Sequence, residues 1–103
     1  MRDRRRYLVF NVLSEIAVDK YKLLNAIWES VYSLYGDVGT SEIKPWLIKY
    51  DKTGIGMVRC THRKVDELRA ALACVHSVGG AKVGIRVIGI SGTIKCAYRI
   101  AGW

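Results

Sequence analysis

"KPWLIKYDKTGIGMVRCT", residues 44–61, is where the fold of this chain is decided. Trp46, Leu47, Ile48 and Tyr50 form one β-prone run, and Ile55, Met57 and Val58 belong to a second. Between them "DKTG" (51–54) is turn chemistry: Asp can bond its own following backbone, and Gly tolerates the conformation that ends a tight loop. Pro45 stands at the first position, where a strand tolerates it. Two strands this close in sequence form an antiparallel hairpin.

Outward from the hairpin, a helix is expected on each side. After Asp19, an N-cap type, the apolar positions Leu23, Leu24, Ile27, Trp28, Val31, Leu34 and Tyr35 make one broad face, with Gly36 as the stop. "DVGTSE" (37–42) then reads as a loop. On the other side, Thr61 is expected to cap "HRKVDELRAALACVHS", in which Val65, Leu68, Leu72 and Val75 share a stripe, ended by Gly79-Gly80. "YLVFNVL" (7–13) and residues 81–90 are outer strands in the chain order, and the first is apolar enough for a central position. The order β-α-β-β-α-β predicts an α+β, ferredoxin-like or RRM-like domain over residues 1–103. Its four-stranded antiparallel sheet carries both helices on one face and is followed by a short C-terminal extension.

The 103 residues suit one domain, and half of them are apolar, enough for a core. No apolar run approaches the roughly 18 residues of a membrane span. "RDRRRYLVFNVLSE" has too short an apolar stretch for a signal peptide, so the chain is expected in the cytoplasm. Cys60, Cys74 and Cys96 form no C-x-x-C pair and are expected as reduced, mostly buried thiols.

Charge carries the functional signal. Lys and Arg number 17 against 9 Asp and Glu, a formal +8, which points to a polyanionic partner. Arg2, Arg4, Arg5 and Arg6 crowd the start; Lys82, Arg86, Lys95 and Arg99 mark the end; no acidic residue follows Glu67.

Base stacking on the sheet is not supported. The third strand has the frame of an RNA-recognition domain, yet Ile55 and Met57 replace its aromatics, and Leu8 stands at the aromatic position of the first strand. By alternation Ile55, Met57 and Ile88 point outward, an apolar face suited to a protein partner or to the C-terminal segment. No active site is evident either. "NVLSEIAVDK" (11–20) lacks the glycines and arginine of an acylphosphatase cradle, and His62 and His76 have no nucleophile or carboxylate partner in the sequence.

"RRRYLVF" (4–10), "GIGMVRCTHRKVDELRAALACV" (54–75) and "GISGTIKCAYR" (89–99) together resemble the archaeal ribonuclease P protein component 2 family, in order and nearly end to end. The resemblance implies a noncatalytic subunit that supports the catalytic RNA in removing the 5′ leader of precursor tRNA. It also implies partnership with ribonuclease P protein component 3, as a heterotetramer of two copies of each. No cofactor is expected on the protein; magnesium belongs to the RNA. In that setting Arg4, Arg5, Arg6, Lys95 and Arg99 are expected to hold phosphates, with Ser91, Gly92 and Thr93 offering backbone N–H groups at the start of a short helix. Antiparallel pairing of the first and last strands should bring both basic segments to one place. A ribosomal-type RNA scaffold and a small-molecule regulatory domain share the topology and remain alternatives at this point.

Overall fold

The computed structural model describes residues 4–103; Arg2 lies outside them. Among the described residues there are five strands and three α-helices: β1 (Arg5–Ser14), α1 (Lys20–Ile43), β2 (Trp46–Tyr50), β3 (Ile55–Thr61), α2 (Val65–Ala73), β4 (Ser77–Val78), β5 (Ala81–Ser91) and α3 (Ile94–Ala101). The sheet is antiparallel with order β2-β3-β1-β5-β4, so β1 is central, as its apolarity predicted. The four strands read from the sequence are there in ferredoxin-like order, and β4 is a two-residue addition at the edge.

Three local readings change. α1 runs past Gly36, whose φ of 69° and ψ of −169° break it, and resumes through residues expected to be a loop. The composition of "DVGTSE" suggested a loop, but Ile43 lies fully in the core and draws this segment onto the domain. α2 starts only after a 3-10 turn, His62–Lys64, and Thr61 gives that turn no side-chain cap. Gly79 and Gly80 do not stop a helix. Their φ values of 58° and 85° are those of a type I′ hairpin loop joining β4 to β5, with Val78 opposite Ala81. The Asp19 cap is as expected: its carboxylate accepts from Tyr21 N (3.1 Å) and Lys22 N (3.2 Å).

The domain has three layers. Leu8, Phe10, Val12, Val58 and Cys60 from the sheet meet Leu23, Ile27, Val31, Leu68 and Leu72 from α1 and α2. On the opposite face Val9 and Met57 pack against Ala97 of α3, with Tyr7, Ile48, Ile55, Tyr98, Ala101 and Trp103 around them. Leu8 therefore faces the helices and not the open face; the match of β1 to an RNA-recognition strand was off by one residue, which inverts every side chain. Among the described residues no helix is long and apolar enough to cross a membrane.

α3 corrects the expected docking face. Met57 is outward of the sheet but 0% exposed beneath α3, and Ile55 is half-buried in the same cluster. Of the three residues expected to meet a partner, only Ile88 keeps substantial exposed surface (38%). It sits where a bulge shifts the β1–β5 register between Val9 and Phe10. The thiols also differ from expectation: Cys60 is buried, and Cys74 and Cys96 are exposed.

Candidate nucleic-acid interface

One row across the sheet assembles the site. Trp46 pairs with Arg59, Arg59 with Tyr7, and Tyr7 with Ser91, so four strands contribute one residue each at the same end. Period-two alternation places Arg5 on the Tyr7 face and Arg6 on the other. Arg6 nonetheless reaches the β5 end: a β-carbon on Gly92 would lie 3.1 Å from its Nη1, which also donates to Arg5 O at 3.4 Å. The two basic segments thus meet, as the antiparallel pairing predicted. Arg4 and Arg5 are exposed, and Arg4 O accepts from His62 N (2.9 Å), tying the start of β1 to the turn after β3. His62 Nδ1 lies 3.3 Å from the same oxygen.

α3 begins immediately beyond this row. Ser91 Oγ accepts from Thr93 N (3.1 Å) and donates to Thr93 O (2.9 Å), while Thr93 Oγ1 caps Cys96 N (3.3 Å). Ser91 and Thr93 are thus engaged in the cap, and Thr93 N–H is not free for a ligand as expected. The N–H groups of Ile94 and Lys95 occupy positions that have no acceptor within a helix. The first turn holds no acidic residue, and Lys95 stands in it with its charge against the helix dipole. Lys95 and Arg99, both exposed, are four residues apart and share a helix face.

The Cys96 thiol pKa is held below the ordinary value, first by a hydrogen bond from the Thr93 hydroxyl, against desolvation, and further by Ser91, Arg99 and Lys95. Cys60 behaves oppositely: burial pushes it up to about 12, Glu67 adds to that, and Arg6 opposes it. It is an inert core thiol.

The far end of α3 is latched to the β2–β3 hairpin. Trp103 Nε1 donates to Asp51 Oδ2 (2.7 Å), Tyr98 meets the Trp103 ring edge-on at 5.4 Å, and Lys49 Nζ lies 4.6 Å from the Trp103 ring centre. Asp51 also accepts from Thr53 N, Thr53 Oγ1 and Ile55 N. Burial pulls the Asp51 pKa up, but the bonds from Thr53, Trp103 and Ile55 outweigh it and hold the carboxyl below its ordinary 3.8. A carboxyl lowered by folding stabilises the fold above its unfolded value and loses that contribution as pH falls through the folded one. Acid below 3.8 is therefore expected to loosen the Trp103 latch. Trp103 emission, read with Trp28 and Trp46 replaced by Phe, should show this transition. Asp51→Asn, which cannot ionise, should lack it; an identical acid transition in that variant would exclude Asp51 as the latch.

The three tryptophans take three environments. Trp103 is docked, Trp46 is 49% exposed, and Trp28, expected in the core, is half-buried beside a groove. Trp28 and Tyr32 are four apart on α1, a spacing that could have marked them as one surface pair.

Known proteins resemble this chain along nearly its whole length. Residues 6–101 match the model of the Rpp14/Pop5 family. A curated relative from Pyrococcus furiosus, "Ribonuclease P protein component 2", is 41% identical over 96 residues, 92% of this chain and 80% of the relative. Its namesakes from Thermococcus kodakarensis and Methanosarcina mazei are 42% identical (92% of this chain, 80% of the relative) and 34% identical (94% and 83%). A chain in the solved "Cryo-EM structure of yeast Ribonuclease MRP" superposes with a TM-score of 0.72 at 14% identity, covering 90% of this chain and 77% of that one. At that identity the likeness speaks for the fold.

Proposed function

The chain belongs to the Rpp14/Pop5 family, and on that premise we propose that it is a protein subunit of ribonuclease P. In this reading it supports the catalytic RNA in 5′ leader removal from precursor tRNA and does no chemistry itself. The observation that carries the reading is the identity of about two residues in five to ribonuclease P protein component 2 along nearly the whole chain. Structured RNA is held mainly through phosphates, shape and 2′-hydroxyls. Arg5, Arg6, Lys95 and Arg99 around the Gly92 turn suit phosphates, with Arg able to bind one through two N–H groups. Magnesium is then the RNA's metal, component 3 is the protein partner, in a heterotetramer, and the cytoplasm is the setting.

Reconstitution tests this. The cognate RNA with component 3 should cleave precursor tRNA faster when this chain is added. The chain free of RNA, given magnesium, should leave precursor tRNA intact. Cleavage by the RNA-free protein, or no gain on its addition, would overturn the proposal.

A further inference from the structure

The row Trp46–Arg59–Tyr7–Ser91 ends, at its β2 side, in a groove of 540 Å³ between α1 and the sheet end. That volume lies within the roughly 300–1,000 Å³ of ligand pockets. Three aromatics line it: Trp28 and Tyr32 from α1, and Trp46 from β2. Trp46 and Tyr32 are 49% and 54% exposed, so both rings are accessible from the groove. Arg5 and Arg59 line it as well, against Asp37 alone of opposite charge.

Thr40 and Arg59 line the groove, with the Thr40 Oγ1 and Arg59 Nε atoms themselves buried.

We infer that this groove takes an unpaired nucleotide of an RNA, with the base stacked on the Trp46 and Tyr32 rings and its phosphate on Arg5 and Arg59. Stacking platforms with flanking cations are how single strands are held without sequence readout, and a splayed base is available only outside a duplex. Arg5 belongs both to the groove and to the basic segment beside Gly92, so one RNA strand can pass from the turn before α3 along the row into the groove. This inference rests on the RNA-binding reading above and adds to it a site for one nucleotide; the sheet's own face, covered by α3, is not the platform.

The test uses the full chain and a fluorescein-labelled short oligoadenylate, read by anisotropy. Trp46→Ala and Tyr32→Ala are both expected to weaken binding about fivefold or more, since a stacked base contributes at least that much. Melting should stay near the parent because both rings are half exposed. The salt dependence of binding should be unchanged by these two variants and flattened by Arg5→Ala. Duplex RNA of the same length should bind with no loss on Trp46→Ala. If both aromatic variants bind oligoadenylate as the parent does, the inference is wrong. If Trp46→Ala instead abolishes capture of component 3 and spares oligoadenylate, the groove belongs to protein and the inference is equally wrong. If the ribonuclease P RNA binds the parent while oligoadenylate does not, the groove inference falls and the proposed function stands. If neither RNA binds the parent, both fall together.

Discussion

Met57→Lys is expected to release α3 from the sheet and to lower the melting temperature by roughly 12–24 °C. Met57 is fully covered by α3 and packs with Val9 and Ala97. A lysine there must bury an ammonium with no partner or push the helix away. Leaving a charge buried and unpaired costs about 3–5 kcal/mol. Undocking the helix limits the loss to the low end of that range, and 1 kcal/mol moves the midpoint of a domain this size by about 4–8 °C. Trp103 emission should shift red as the ring leaves Lys49 and Asp51, while the main core around Phe10 stays folded and most of the circular dichroism with it. Met57→Leu, which conserves volume, should do neither, and Ile55→Lys, at the half-buried rim, should fall between. A Met57→Lys protein that melts and fluoresces like the parent would mean that α3 does not rest on the sheet in solution.

That variant also marks where sequence reasoning stopped. Alternation correctly sent Ile55 and Met57 to the outer face of β3. It could not say what lies over that face, because a strand's pattern is the same under a partner as under the chain's own tail. The cover is supplied by Ala97, Tyr98, Ala101 and Trp103, whose helix is only eight residues long and had to be recognised from its Thr93 cap. Elsewhere the legible parts were those with strong local physics. The Asp19 cap, the "DKTG" turn and the helical stripe through Leu23, Ile27 and Val31 all appear in place. The segment after Gly36 was illegible because its composition is that of a loop, and only the burial of Thr40 and Ile43 makes it a helix. Gly79-Gly80 was legible as a break but not as a hairpin, since β4 has just two residues to pattern.

The site divides in the same way. Topology alone placed Arg5 and Arg6 beside the turn before α3, and the register of Tyr7 on Ser91 agrees. The aromatic groove depends on α1 continuing past its break to carry Thr40 to the sheet end, so no reading that stopped the helix at Gly36 could assemble it.

Lys95→Ala with Arg99→Ala is expected to flatten the salt dependence of binding to the cognate RNA. Both side chains are exposed on one face of α3, next to Arg6 and Gly92, in a stretch with no acidic residue after Glu67. Each phosphate contact contributes about 0.7–0.9 to the slope of log affinity against log salt. Losing two should flatten it by about 1.4–1.8, so across a fourfold rise in salt the parent loses roughly tenfold more affinity than the double variant. The preferred RNA should not change, because phosphate contacts position a protein without reading sequence. Folding is the competing explanation, and here the two residues separate. Arg99 lies in the last turn, where its charge suits the helix dipole, and Lys95 lies in the first, where it does not. Lys95→Ala alone should therefore leave the melting temperature unchanged or slightly raised while it weakens RNA binding. A loss of affinity that tracks only with lost stability, or an unchanged slope in the folded double variant, would reduce α3 to a strap that holds Trp103 on the sheet.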